Sequence, residues 1–199
     1  MDATMRCLAA NGVDRTSVRN ICAEAGVSIG LVSHYYDGKE ALIADVYEQV
    51  ANRLLGELKR EIGRAEGGPR QRLSAFIHAS FSPVSLDREL LQVWLSFWSM
   101  TQRSERISAV HDRTYGAYLQ VLESLIGDLA QADEAAGPDV HLAAIGLSGV
   151  LDGLWVEWCL NPQTFSPEEG IRLCEACLEG LLAYPLERDR DGEAPLAAT

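Results

Sequence analysis

Apolar residues recur at intervals of three and four along most of the chain, and this spacing is the feature that most limits the fold. Between residues 39 and 65, for example, Leu42, Val46 and Val50 fall on one stripe. Side chains at that spacing share one face of an α-helix, whereas a half-buried strand needs strict alternation, which we do not find. The sequence therefore predicts an all-α protein.

Breaks rich in glycine and proline divide the chain into about nine periodic segments, three short ones followed by longer ones. The segments span residues 2–11, 17–24, 28–35, 39–65, 69–81, 87–101, 104–131, 139–160 and 167–184. This order predicts a module of short helices over residues 1–45 and a helical bundle over residues 46–185. The polar segment 186–199 is expected to be a flexible tail.

Charge and composition narrow the class of protein. The 199 residues carry a formal net charge of −12, and 47% of them are hydrophobic, as in globular proteins. No apolar run reaches the roughly 18 residues of a membrane-spanning helix, and no export signal is visible, so we expect a cytoplasmic protein with five reduced cysteines and no membrane contact. The acidic balance argues against a protein that coats nucleic acid, but it is compatible with DNA binding through one small face.

Residues 16–36 carry the pattern of a helix-turn-helix. Thr16 or Ser17 can cap a first short helix, and Ser28 can cap a second one. Between them, Gly26 suits the left-handed backbone that ends a helix, and Val27 can pack the turn onto the core. A plain helical hairpin within a bundle is the alternative.

The second helix of this pattern is expected to lie in the major groove of DNA and to bury Leu31 and Val32. On its outer face, Ile29 can contact a thymine methyl group, while Ser33 and His34 can hydrogen-bond to bases. No arginine lies in this helix, so the two-pronged contact between arginine and guanine is missing there.

The stretch AGVSIGLVSHYYDGKEALI, which begins at residue 25, resembles the end of the DNA-binding domain of TetR-family bacterial repressors. The pattern G-x-x-x-x-S-V-x-x-I-C-x-x-A from Gly12 also fits that family. The resemblance implies a three-helix DNA-binding domain, followed by a domain that binds a small molecule and forms a homodimer through a four-helix bundle. It further implies that these residues face DNA: Thr16, Ser17, Ser28, Gly30, Ser33, His34, Tyr35 and Lys39.

The N-terminal module is not basic, although DNA binding depends on neutralising phosphates. Residues 1–50 hold four basic side chains against seven acidic ones, and Asp2-Ala3-Thr4 follow Met1 directly, where family members usually carry a basic arm. Either the true start lies upstream, or this protein binds DNA without arm contacts. In the second case we expect modest affinity and a shallow dependence on salt, which a steep dependence would contradict.

Four tryptophans occur in two pairs at helical spacing, Trp94 with Trp98 and Trp155 with Trp158, and Asp152 precedes the second pair. Indole faces attract a quaternary ammonium, and the carboxylate of Asp152 or Glu157 would balance its charge. The four tryptophans and Asp152 are therefore candidates for binding a choline-like cation such as choline or betaine. Helix core or a dimer interface is the alternative for such aromatic stripes. The segments F-W, D-G-L-W and SHYY resemble the BetI branch of the TetR family, whose repressors respond to choline and control choline-to-betaine genes.

Other motifs are weaker. Cys174-x-x-Cys177 lacks the two further ligands of a zinc site, so both cysteines are better interpreted as small residues of a dimer helix. Of the scattered histidines, His78 and His111 could line a ligand cavity. No phosphate loop, dinucleotide fingerprint or catalytic motif is present. We therefore predict no enzyme, no metal and no cofactor.

Small residues are concentrated in segment 139–160, at positions 143, 144, 146, 148 and 149. Together with segment 167–184 they could form half of an intermolecular four-helix bundle, or simply an internal packing face. The sequence thus predicts a homodimeric, ligand-responsive repressor that binds double-stranded operator DNA and a small-molecule effector. Two alternatives remain: a repressor that senses another small molecule, with the tryptophans in its core, and a helical interaction module that has lost DNA binding.

Overall fold

The computed structural model describes residues 1–132 and 139–183, and within these residues the chain forms nine α-helices, as predicted. They are α1 (Asp2–Arg15), α2 (Val18–Ala25), α3 (Ile29–Tyr35), α4 (Lys39–Arg64), α5 (Pro69–Ser80), α6 (Arg88–Thr101), α7 (Glu105–Ala132), α8 (Val140–Leu160) and α9 (Pro167–Ala183). The all-α prediction is therefore confirmed. The predicted break at 136–138 and the predicted tail at 186–199 lie outside the described residues.

Helix α1 kinks at Gly12, where the backbone takes φ +68° and ψ 179°, a conformation that is essentially restricted to glycine. The sequence predicts that the first helix ends before Gly12. In the structure, one further helical turn follows the kink and ends at Arg15. Side chains satisfy carbonyls around the kink: the Thr16 hydroxyl donates to the carbonyls of Gly12 (2.7 Å) and Cys7 (3.1 Å), and Nζ of Lys39 donates to that of Val13 (3.0 Å).

Helices α2 and α3 form the predicted helix-turn-helix. Ser17, rather than Thr16, caps α2 by accepting a hydrogen bond from the backbone N–H of Asn20 (3.2 Å), and Ser28 caps α3 in the same way through Leu31 (3.2 Å). Gly26 ends α2 with the left-handed backbone that was predicted (φ +67°, ψ 29°). These local signals set the angle at which α3 leaves the domain.

The core of the N-terminal helices is continuous with α6 and α7. Helix α4 runs unbroken through residue 45, so the predicted domain boundary falls inside a helix, and the division at that residue stays a prediction. One buried cluster joins α1, α2 and α4 to the bundle, and it includes Leu8, Ile21, Ile43, Val46, Tyr47, Val50, Val93, Phe97, Ile107 and Val110. Helix α6 therefore packs directly against the N-terminal helices, so that a displacement of α6 would disturb their packing.

A second buried cluster holds α5, α7, α8 and α9 together around side chains such as Phe76, Leu122, Ile126 and Leu147. Helix α7 contacts α4, α5, α6 and α8, while α8 packs between α7 and α9. The long helices therefore form a bundle whose central members are α7 and α8.

By length and composition alone, α8 could cross a membrane, and it is the one such helix in the described part of the chain. This differs from the sequence expectation, which considered only uninterrupted apolar runs. Ala144, Leu147 and Leu151 are fully buried against neighbouring helices. In the apolar window of α8, 33% of the residues are buried, so α8 is a partly buried helix of the bundle.

The small residues of α8 serve mainly the packing of this chain. Ala143, Ala144 and Ser148 are buried within it, and a Cβ atom on Gly146 would lie 3.1 Å from the Leu181 side chain of α9. Gly149 faces open space. The internal packing face that the sequence left as an alternative is therefore present, and of these small residues Gly149 is the one left exposed.

Candidate functional site

Helix α3 stands out from the N-terminal domain, and none of its seven residues is buried. Leu31 is 48% exposed, so the prediction that it is buried was wrong. Val27 is also exposed, although it was expected to pack the turn onto the core. Only Val32 and the following Tyr36 pack against the domain, half-buried. The helix therefore offers most of its circumference to a partner.

Five of the eight predicted DNA-facing residues lie together on this exposed surface, namely Ser28, Gly30, Ser33, His34 and Tyr35. Ser17 is half-buried at the start of α2, where it serves as the cap. The ring of His34 meets the ring of Tyr35 edge-on at 5.1 Å, which orients both side chains at the end of α3.

Two of the predicted contacts need correction. Thr16 is 2% exposed, and its hydroxyl is used by carbonyls of α1, so this side chain does not face DNA. Lys39 is half-buried and its ammonium is held by the Val13 carbonyl. Both side chains stabilise the kinked end of α1, a tertiary role that spacing along the chain could not reveal.

A pocket with a volume of about 320 Å³ lies in the bundle between α4, α6, α7 and α8. Its walls are mostly aromatic and aliphatic. The lining residues are Tyr47, Ala51, Leu54, Leu55, Leu58, Trp94, Trp98, Thr101, His111, Thr114, Tyr115, Tyr118, Asp152 and Trp155. A concave apolar site with a few converging polar groups is typical of small-molecule binding.

Four of the five predicted ligand residues meet in this pocket, although they come from helices far apart in sequence. The rings of Trp94 and Trp98 pack edge-to-face with centroids 6.5 Å apart. The indole N–H of Trp155 donates to the Ser80 carbonyl (3.0 Å), which fixes that ring. Asp152, one turn before Trp155 on α8, completes the group.

Trp158 is the exception. Its indole N–H donates to the carbonyl of Leu86 (3.1 Å), and its ring packs against Phe165 at 5.5 Å. Three residues after Trp155, it has turned far enough round α8 to face the α5–α6 connection rather than the pocket. The neighbouring Glu157 is exposed. The predicted set of ligand residues is therefore reduced to Trp94, Trp98, Asp152 and Trp155.

Asp152 is the only carboxylate among the residues that line the pocket. Burial raises its pKa from 3.8 to about 6, because a charged carboxylate loses hydration there. Burial, together with the field of Asp152, also raises the pKa of Tyr47 to about 12. A partly buried acid with a perturbed pKa inside a pocket is a common property of functional sites.

Sequence reasoning missed three tyrosines of the pocket, Tyr47, Tyr115 and Tyr118. The Tyr47 hydroxyl lies 2.8 Å from Nδ1 of His111 in a hydrogen bond, and the rings of His111 and Tyr115 stack at 5.6 Å. The signal was available, since His111, Tyr115 and Tyr118 repeat at four and three along α7. Of the two histidines considered, His111 lines the pocket, whereas His78 is exposed near Glu175.

Tyr47 also joins the pocket to the N-terminal helices. Its ring stacks on Phe97 at 4.5 Å and meets Trp94 edge-on at 5.4 Å. Seven residues earlier, in the first turn of α4, Glu40 accepts a hydrogen bond from the hydroxyl of Ser104, whose oxygen also accepts from the Ile107 N–H (3.1 Å). Helix α4 therefore runs without a break from the end of the helix-turn-helix to the wall of the pocket.

The cysteines do not form a reactive or metal-binding centre. All five are free thiols within the described residues, and no group of His, Cys, Asp and Glu there could hold a metal ion. Burial raises the pKa of Cys174 to about 12, which keeps the thiol protonated. Cys174 thus behaves as a small apolar residue of α9.

Both parts of the chain match known families. Residues 1–46 match the model of bacterial regulatory proteins of the TetR family, and residues 69–183 match the BetI-type transcriptional repressor, C-terminal domain. Among curated relatives, the HTH-type transcriptional regulator BetI of Burkholderia thailandensis is 28% identical over 184 residues, which is 92% of this chain and 91% of that protein.

Solved structures agree with the fold. A protein of Pseudomonas aeruginosa PAO1 superposes with a TM-score of 0.87 at 49% identity, covering 92% of this chain and 88% of that one. A regulator of Saccharomonospora viridis, solved in complex with choline, has a TM-score of 0.77 at 18% identity, covering 91% and 94% of the two chains. The chain belongs to the TetR family and is a DNA-binding transcriptional regulator with a BetI-type C-terminal domain.

Proposed function

We propose that this regulator is a repressor whose effector is a choline-like cation bound in the pocket between α4, α6, α7 and α8. The single observation that carries the proposal is Asp152, a half-buried carboxylate that shares the pocket with Trp94, Trp98 and Trp155. The BetI regulators similar to this chain, and the choline bound to the S. viridis regulator, support this class of effector.

The chemistry of the pocket suits a trimethylammonium group. Such a group cannot donate a strong hydrogen bond, so it binds through ring faces and through an opposite charge. In a site partly removed from water the attraction to Asp152 is stronger than at the surface. Because Trp155 is already held by the Ser80 carbonyl, little side-chain freedom is lost when the cation binds.

DNA binding is proposed to use α3 of two subunits, each in one major groove, with half-sites about one helical turn or a multiple of it apart. The two subunits would meet through α8 and α9, where Leu142, Ile145 and Leu173 are exposed apolar residues. The effector would change the distance between the two α3 helices by acting on α4 and α6, so that both no longer fit successive grooves.

The test combines effector binding and operator release in one purified protein. Choline should change tryptophan fluorescence at up to millimolar concentration and should release the protein from its own upstream DNA. Asp152→Asn should lose most of the response, whereas Glu157→Gln, an exposed change on the same helix, should keep it. If wild-type protein binds the DNA but choline changes neither signal, the effector assignment is wrong. If no DNA is bound at all, the repressor assignment is wrong.

A further inference from the structure

We infer that the effector of this pocket is larger than choline: a quaternary ammonium that carries an apolar chain of several carbons. The inference rests on the proposed cation site and extends it. Two observations carry it, the volume of the pocket and the aliphatic wall that α4 contributes to it.

The volume is too large for choline alone. Choline has few non-hydrogen atoms, and at roughly 20–30 Å³ for each atom-sized group, the scale of a water molecule, it fills about half of the 320 Å³ that the pocket provides. A ligand normally buries most of its surface in contact with its pocket. With choline bound at the indoles, the apolar side chains that line the rest of the pocket would have no contact with the ligand.

That remaining space lies along α4. Beyond Tyr47 this helix contributes only aliphatic side chains to the wall, Ala51, Leu54, Leu55 and Leu58. At a rise of 1.5 Å per residue, Leu54 and Leu58 lie about 10 Å and 16 Å further along the helix than Tyr47. An extended chain of six to eight carbons, at roughly 1.3 Å per carbon, covers the distance to the side chain of Leu54 but not to Leu58.

The aromatic and polar groups of the pocket include a cluster around Tyr47, and α7 adds the phenols of Tyr115 and Tyr118 to the wall. Tyr47 bonds to His111, and it contacts Trp94, which is in turn packed on Trp98. Besides burial, the field of Asp152 raises the pKa of Tyr47 and also that of Tyr118, so this carboxylate lies near both tyrosines. The charged head of a ligand would therefore be held at the Tyr47 end, and its chain would follow the leucines of α4.

A chain-length series provides the test. Alkyltrimethylammonium ions from methyl to octyl would be titrated into the full-length protein, with choline as reference and 1-octanol as neutral control. Affinity should rise about three- to fourfold per methylene up to about six carbons and then level off, while octanol binds far more weakly. Choline binding without a gain from the chain would overturn this inference but leave the proposed function standing.

Absence of binding by every cation would overturn both proposals, and equal binding of octanol would overturn the two-part pocket. A substitution in the pocket tests where the alkyl chain of the ligand binds. Leu54→Trp fills the aliphatic end and should collapse the ratio of octyl to choline affinity by tenfold or more, whereas the similar-sized Leu54→Met should keep it. Trp98→Ala should weaken the whole series. Should Leu54→Trp fail to fold, the wild-type series alone still decides.

Discussion

Asp152 should make effector binding dependent on pH. Its pKa is raised to about 6, so the carboxylate that attracts a cation is present above that pH and is lost as the pH falls through it. The affinity for choline or a longer homologue should be flat between pH 7 and 8 and should fall by about tenfold per unit well below pH 6. Fluorescence titrations at several pH values measure this directly. Asp152→Asn should bind weakly and without this dependence; a wild-type affinity that does not change with pH would contradict the role of Asp152.

The same residue should lower the stability of the free protein. In the unfolded chain Asp152 ionises near 3.8, but in the pocket near 6, so the folded state is penalised once the pH exceeds both values. The penalty is about 3 kcal/mol as an upper value, at 1.36 kcal/mol per pKa unit. Asp152→Asn should therefore unfold at higher urea concentration at pH 7.5, with a gain of about 1–3 kcal/mol that shrinks as the pH falls from 6 towards 4. Glu157→Gln should show no such gain.

At the residue scale, the sequence predicted those side chains whose role follows from position on a helix. Trp94 and Trp98 share a face because they are four residues apart, and both line the pocket. The role of a residue was not predicted where it depends on a carbonyl of another element. Thr16 and Lys39 donate hydrogen bonds to carbonyls of α1, and Trp158 donates one to the Leu86 carbonyl. No spacing rule encodes these partners, because they come from other elements of the chain.

Among the elements, α3 should read DNA largely through thymine methyl groups. It carries no arginine for guanine, but Ile29 and Leu31 are both about half exposed. Replacing thymine by deoxyuridine within a half-site removes only the methyl group, and it should weaken wild-type binding about threefold per contacted methyl. Ile29→Ala should lose part of this sensitivity, while Val84→Ala, an exposed apolar residue outside the domain, should keep it. Anisotropy titrations at fixed salt measure the effect, and equal affinity for both DNAs would exclude methyl readout.

The kink of α1 should depend on Gly12. Its φ of +68° with ψ near 180° is strained for any residue with a Cβ atom. Gly12→Ala should lower the free energy of unfolding by about 1–3 kcal/mol, although no atom lies within 4 Å of the added methyl. Gly63→Ala is the matched control, since Gly63 is inside α4 and also meets open space; there alanine should raise stability by about 0.5–1 kcal/mol. Chemical unfolding distinguishes the two signs, and a neutral Gly12→Ala would show that the kink can relax.

Element boundaries were predictable because helix breakers and caps act locally, as Ser17, Gly26 and Ser28 do around the turn. The partner that covers the apolar face of a helix was not predictable. Small residues of α8 were candidates for a subunit interface, yet Gly146 meets Leu181 of the same chain, and Leu31, expected inside, is exposed. The spacing of apolar residues shows that a helix has an apolar side. Which element packs against that side depends on the arrangement of all the helices.

For the whole molecule, the negative charge is compatible with DNA binding because the exposed helix α3 itself carries no acidic side chain. Most of the −12 lies beyond residue 50, in the part that holds the pocket. Within the N-terminal domain Arg6 is paired with Glu24 (2.6 Å). The pocket volume itself was beyond sequence reasoning, since it depends on how four helices pack. It is nevertheless the quantity that separates choline from a longer effector.

The unit that binds an operator should be a dimer built on the exposed face of α8 and α9. Ile145 and Leu173 are 42% and 52% exposed, and a charge at the centre of an apolar interface is strongly unfavourable. Ile145→Glu or Leu173→Glu should give a folded monomer by light scattering at micromolar concentration. Its operator affinity should fall by at least tenfold, because one α3 helix then binds without the help of the second. Val84→Glu, an equally exposed apolar position between α5 and α6, should remain a dimer with normal operator binding. A wild-type monomer at that concentration, or a dimer that survives both charges, would place the subunit contact elsewhere.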